Sequence, residues 1–158
     1  MFNNLSIKKI RKTLFQCWSK ETCYPWKSND WASSNPSLGQ CAVTALLVQD
    51  ILWWDLLYSN CKKHYWNKLP NWKEIDLTRK QFDPNETITA DEIKTRKDIL
   101  DTEKSKKMKT FEKFEILKKN FYEKLKINKE LITFFSSNAQ KLFKDDIYRA
   151  LNMPQWYI

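Results

Sequence analysis

Apolar positions Ile7, Ile10, Leu14 and Trp18 recur at helical spacing among lysines and arginines, which predicts an amphipathic helix over residues 5–19. Residues 20–38, containing ETCYPWKSNDWASSNPS, carry two prolines, two asparagines and several serines and read as a loop. The pattern then becomes apolar nearly all round in QCAVTALLVQDIL, residues 40–52. A helix with no polar face belongs in the middle of a domain, and Ser37 or the Gly39 region is placed to cap it. Next come three short β-type runs, DLLYSNC, KHYWNKL and KEIDLTR, separated by turn residues.

From about residue 88 the helical period returns. ITADEIKTRKDIL begins near Thr89 with Glu92 three residues on, the spacing of a capping box. KTFEKFEILKKNFYEKLKIN sets Phe111, Phe114, Leu117, Phe121 and Leu125 on one stripe, and ELITFFSSNAQKLFKDDIYRALN supplies one or two further helices. Helices, a small antiparallel sheet of three or more strands, then helices again make the class α+β. The length, 158 residues, fits one domain over 1–158 and suffices to bury a core.

Charge and cysteines narrow the function classes. The net charge of +9 comes mostly from lysines interleaved with glutamates along the helical half. Without an arginine cluster or a nucleic-acid motif this argues against a nucleic-acid partner and leaves room for an acidic protein partner. No apolar run approaches the roughly 20 residues a membrane span needs, and the N-terminal segment lacks the continuous apolar core of a signal peptide. The expected location is therefore cytoplasmic, where Cys17, Cys23, Cys41 and Cys61 are free thiols. Cys61 and His64 have half the spacing of a zinc site, but Cys17 and Cys23 lack a knuckle spacing, so neither a metal nor another cofactor is implied.

The chemistry gathers on Cys41, His64 and Asp76. Cys41 opens the buried helix, where free backbone N–H groups and the helix dipole favour a thiolate. His64, the one histidine, lies on KHYWNKL, and Asp76 lies on KEIDLT. A nucleophile, a base and an orienting carboxylate are the parts of a cysteine-hydrolase triad. Register decides whether the last two can meet. The connection Leu69-Pro70-Asn71-Trp72-Lys73 suits a type I turn with a bulge, a three-residue hairpin loop. That loop sets Trp66 opposite Asp76 and His64 opposite Thr78, so His64 and Asp76 become diagonal neighbours on one face. A two-residue loop would put them on opposite faces. The competing reading is a core cysteine and a structural histidine in a non-enzymatic binding module. Access separates the two: a catalytic Cys41 opens onto a cleft beside His64, whereas a core Cys41 is sealed by Leu46, Leu47 and the aromatic stripe.

WSKET, NPSLGQCAVTALLVQD, HYWNKLPN and EIDLTRKQF together resemble the YunG family of small bacterial proteins over about residues 17–125, with 126–158 as a helical extension. Gly39, Gln40, Cys41, His64, Tyr65, Trp66, Asn67, Asp76, Leu77 and Thr78 carry the likeness. The order of helix-borne cysteine, strand-borne histidine and aspartate is also similar to papain-like and transglutaminase-like folds, a likeness of architecture only. The triad residues lead to thiol-based acyl chemistry on an amide or ester of a small molecule or peptide as the expected activity. Cys41, His64 and Asp76 would be catalytic, Gln40 or nearby backbone N–H groups would hold the oxyanion, and Trp66, Asn67 and Thr78 would support the site.

Trp53, Trp54 and Trp72 depart from the family pattern, which has glycine there. Physics also favours glycine at a helix exit and at the third position of a bulged hairpin loop. The chain has one glycine, against about 7% of residues in average proteins. The reading that follows is UGA recoding: codons that some bacterial lineages read as glycine, translated here as tryptophan. Trp18, Trp31 and Trp66 stand where the family pattern has tryptophan.

Overall fold

Why the chain turns sharply into its central helix is visible in the computed structural model, which describes residues 6–125. The described residues up to Lys124 form one compact unit. The helices expected after residue 126 lie outside the described residues.

Helix α1 (Ile7–Cys17) begins where the Ser6 side chain accepts a hydrogen bond from the Lys9 N–H, and it buries Ile10, Thr13, Leu14 and Cys17. Trp18 follows as its C-cap, buried, with its indole N–H donating to Thr44 Oγ1 at 2.9 Å. Helix α2 (Cys41–Leu52) buries Val43 through Gln49 and Ile51 and packs on both the sheet and the last helix, which is why its sequence shows no polar face. No side chain caps its first turn. The cap expected from Ser37 is absent: its hydroxyl bonds Asn35 instead, and only its carbonyl reaches the Gln40 N–H.

The sheet has the order β3-β2-β1-β4, all antiparallel, from β1 (Asp55–Ser59), β2 (His64–Lys68), β3 (Glu74–Ile75) and β4 (Glu92–Lys94). Leu56 pairs with Asn67, whose amide donates to the Ala45 carbonyl of α2 at 3.0 Å, so this face rests on the central helix. β4 corrects the sequence reading, which put a helix from Thr89. Residues 92–94 instead close the free edge of β1, and the Asp91 N–H donates to the Tyr58 carbonyl. The capping box forms six residues later, between Thr95 and Asp98, at the start of α3 (Arg96–Leu100).

After α4 (Glu103–Lys107), α5 (Thr110–Lys124) buries Phe114, Leu117, Phe121 and Tyr122. Its buried stripe starts at Thr110, which leaves Phe111 exposed, against the expectation, and Leu125 lies just past the helix. Asp50 ties three helices together, pairing with Arg96 of α3 at 2.8 Å and Lys118 of α5 at 2.9 Å. These partly buried charges satisfy one another at the outer side of α2.

Left-handed backbone occurs at Gly39, Trp53, Lys63, Trp72 and Lys109. Two of the three questioned tryptophans thus hold the conformation that favours glycine: Trp53 is the αL C-cap of α2 and Trp72 is the third loop residue of the β2–β3 hairpin. Trp54 is not among the left-handed residues. Trp53 and Trp72 are both solvent-exposed, and Trp72 lies under the Lys68 ammonium at 3.6 Å.

Candidate active site

The site begins with a hairpin. The Trp72 N–H donates to the Leu69 carbonyl and the Leu69 N–H to the Lys73 carbonyl, closing the three-residue loop 70–72. Asn67 then pairs with Ile75 and Lys68 with Glu74. This is the register the Pro70-Asn71 turn predicts. Strand β3 is shorter than its sequence run, ending at Ile75, so Asp76 lies one residue beyond it and not on a strand as expected. The chain bends there because the Asp76 side chain captures its own downstream backbone. Oδ1 accepts from the Thr78 N–H at 2.9 Å and from the Thr78 hydroxyl at 3.0 Å. Thr78 thereby orients the carboxylate.

The other oxygen, Oδ2, lies 2.7 Å from His64 Nε2. The imidazole is fully buried, stacked on Trp66 at 5.5 Å and met edge-on by Phe82 at 4.8 Å. Trp66 is itself fixed, its indole N–H donating to Glu74 at 2.8 Å. Burial works against a charged His64, but the hydrogen bond to Asp76 and the influence of Cys41 outweigh it and hold its pKa up at about 9. Asp76 occupies Nε2, which leaves Nδ1 as the other ring nitrogen.

Cys41 is half-buried, at the first position of α2, with that helix's uncapped N–H groups around it. It differs from the other thiols. Cys17 and Cys23 are buried, and burial pushes both up to about 11. Cys61 is exposed, in the β1–β2 connection. His64 does not turn toward Cys61, because its ring is committed to Asp76. Tyr58 and Tyr65, paired across β1 and β2 with ring centroids 4.5 Å apart, lie within electrostatic reach of the Cys41 sulfur.

What delivers Cys41 to this place is Gly39. Its φ is +68°, and a Cβ there would lie 2.6 Å from Cys23 Sγ and 3.0 Å from Lys27 Cβ. The Gly39 carbonyl also accepts from the Tyr24 N–H at 2.8 Å, tying the loop to the helix entrance. Only a residue without a side chain fits this conformation and this space together.

Gln40 stands immediately before Cys41. Its side chain is fully buried, and Nε2 donates to the Ser19 carbonyl at 2.8 Å. That bond braces the 19–40 loop, and the uncapped backbone N–H groups of α2 lie beside Cys41. Gln81 was missed by sequence reasoning. It sits in a short 3-10 turn after Thr78, where no periodicity marks it, and its Nε2 lies 3.3 Å from His64 Nδ1.

Two clefts, of about 420 Å³ beside Cys17 and Lys124 and about 390 Å³ between Trp26, Lys104 and Met108, are lined by neither Cys41 nor His64. Among the described residues no helix is long and apolar enough to cross a membrane.

Residues 6–126 match a family model described as YunG protein. A relative from Bacillus subtilis (strain 168), "Uncharacterized protein YunG", is 31% identical over 78 residues, covering 48% of this chain and 63% of that protein. The chain thus spans less than two thirds of that relative's length. No solved structure matches.

Proposed function

This chain belongs to the YunG family, and we propose that its Cys41, His64 and Asp76 perform thiol-based acyl chemistry on an amide or ester of a small molecule or peptide. The order of the three groups follows that of papain-like and transglutaminase-like hydrolases, an analogy of arrangement that by itself fixes neither substrate nor reaction.

The steps follow from the groups. The Cys41 sulfhydryl gives its proton to His64 Nδ1, and the thiolate attacks the substrate carbonyl carbon. Asp76 holds the ring by Nε2 and stabilises the imidazolium that forms, as an orienting carboxylate does. The tetrahedral oxyanion collapses to a thioester while the leaving amine or alcohol takes the proton from His64. Water, deprotonated by His64, then attacks the thioester, releases the acid and restores the thiol. If another amine or alcohol replaces water, the same cycle is acyl transfer.

The observation that carries this reading is that Cys41 is half-buried at the uncapped start of α2, while the buried His64 is held by Asp76 at 2.7 Å. The test is the rate of iodoacetamide alkylation at each cysteine from pH 5 to 9, in the full chain and in His64→Ala. Cys41 is expected to react fast well below the pH at which a free thiol ionises, about 8.5, and to slow in the variant. Exposed Cys61 serves as the ordinary reference, and Cys17 and Cys23 react last. Reaction of Cys41 only on unfolding sinks the enzyme reading and favours a binding module with a structural cysteine.

We further propose that codons 53, 54 and 72 are UGA read as glycine. Left-handed backbone at 53 and 72 supports this; 54 has only the family pattern behind it. Ordinary UGG codons in the coding DNA would end the idea.

A further inference from the structure

The cleft of about 390 Å³ between Trp26, Glu103, Lys104, Lys107 and Met108 takes no part in the chemistry described above. Its size falls in the range of small-ligand pockets, roughly 300–1,000 Å³. Its walls are of two kinds. Trp26, on the short 3-10 turn Pro25–Lys27, keeps 72% of its surface exposed, and Met108 beside it is buried. Lys104 and Lys107 come from α4. The carboxylate of the lining, Glu103, is matched by Lys106 at 2.9 Å, so Lys104 and Lys107 leave the cleft cationic. An indole face beside two ammonium groups suits a ligand with an aromatic or large apolar group next to a carboxylate.

Tyr24 joins this cleft to the cysteine. Its ring meets Trp26 at 6.1 Å and lies under the Lys104 ammonium at 5.9 Å. Its backbone N–H donates at 2.8 Å to the carbonyl of Gly39, two residues before Cys41. Two residues of extended chain reach about 7 Å, so a short peptide spans from the thiol to the cleft. The ground between is phenolic. Tyr58 and Tyr65 lie within electrostatic reach of Cys41, Tyr58 also of Lys104, and Tyr65 also of Tyr24. The carboxylates near this path are engaged, Asp98 accepting from Thr95 and Glu92 from Asn60 and Lys94.

We propose that the cleft of Trp26, Lys104 and Lys107 is the specificity pocket of the Cys41 site, and that it takes a peptide or peptide-like chain bearing an aromatic or large apolar group next to a carboxylate, about two residues from the reacting carbonyl. The proposal names a substrate class for the thiol-based acyl chemistry above and rests on that reading. The indole holds the apolar group, the two lysines hold the carboxylate, and the phenols of Tyr24, Tyr58 and Tyr65 line the chain between.

The probes are N-iodoacetyl-glycyl-phenylalanine, its C-terminal amide, N-iodoacetyl-glycyl-alanine and plain iodoacetamide. Alkylation rates are read at Cys41 and Cys61 by peptide mass spectrometry in the full chain, in Trp26→Ala, in the double variant Lys104→Gln, Lys107→Gln, and in His64→Ala. Cys61, followed by Lys62 and Lys63, reports the attraction of an acid to any basic surface. At Cys41 the phenylalanine acid should outrun its amide about fivefold and the alanine acid about fivefold, with neither preference at Cys61. The preference for the acid should vanish in the double lysine variant and the preference for the ring in Trp26→Ala, while iodoacetamide keeps its wild-type rate in both. Equal rates for the three peptide probes at Cys41, the same preferences at Cys61, or preferences that survive the substitutions overturn the proposal and leave the triad reading standing. An iodoacetamide rate and pH profile at Cys41 that are indifferent to His64→Ala remove the triad reading, and this proposal with it.

Discussion

The two ends of α2 have the same kind of backbone and opposite side chains. At the entrance, Gly39 turns left-handed with φ +68° and is packed so closely that a Cβ would collide with Cys23. At the exit, Trp53 turns left-handed with φ 61° and carries the bulkiest side chain of all. The entrance positions Cys41; the exit only passes the chain into β1. The difference lies in what surrounds the Cβ. At residue 53 the side chain is about half-exposed, so the penalty is backbone strain alone, whereas at residue 39 strain and overlap add. Left-handed backbone demands glycine only where packing removes the room for anything else.

The strongest way to break this comparison is Gly39→Ala. Strain and overlap together should destabilise the fold by about 3 kcal/mol, seen as a lower denaturant midpoint, and should displace Cys41 from His64. A loss under about 1 kcal/mol would mean the entrance is no tighter than the exit.

A similar-sized effect should appear as pH dependence at the entrance. His64 is raised in the folded state from its ordinary 6.5 to about 9. The native protein therefore binds more protons than the unfolded chain between these values, and stability falls as pH rises through that window. The contribution should be complete below about pH 6.5 and gone above about pH 9, of order 3 kcal/mol in all. Denaturant unfolding at pH 6, 7.5 and 9 measures it, and Asp76→Asn should flatten the slope by removing the carboxylate on Nε2. An unchanged slope in that variant would place the proton elsewhere.

The smallest effects belong at the exits. Trp53→Gly should stabilise the fold by about 1 kcal/mol through relief of αL strain. Trp72→Gly should gain less, because it also gives up the Lys68 cation–π contact, worth about 0.5–1 kcal/mol. Melting temperatures read both, and a loss of stability in Trp53→Gly would show that its indole does more by packing than its backbone loses by strain.

Local chemistry explains what was legible in advance. The register of His64 and Asp76 followed from five residues, because a Pro-Asn loop of three fixes which faces meet. The central helix was legible because a segment apolar all round has nowhere to go but inside. β4 was not, since a three-residue strand is too short to show a period of two, and its pairing depends on the free edge of β1 some thirty residues earlier. The contact of Gln40 was not legible for a related reason: being next to Cys41 says nothing about which way its amide points, and its bond to the Ser19 carbonyl crosses a loop.

The sequence by itself determined the α+β class, the buried helix led by Cys41, the hairpin register and the positions that want left-handed backbone. All of these follow from periodicity, turn residues and steric limits acting over a few neighbours. Only the tertiary structure decided that His64 meets Asp76 in a buried site, that Cys41 stays half-buried, that Gln81 faces the ring, and that β4 completes the sheet. Those depend on contacts between residues far apart in the chain, where side-chain direction is set by packing and no local pattern records it.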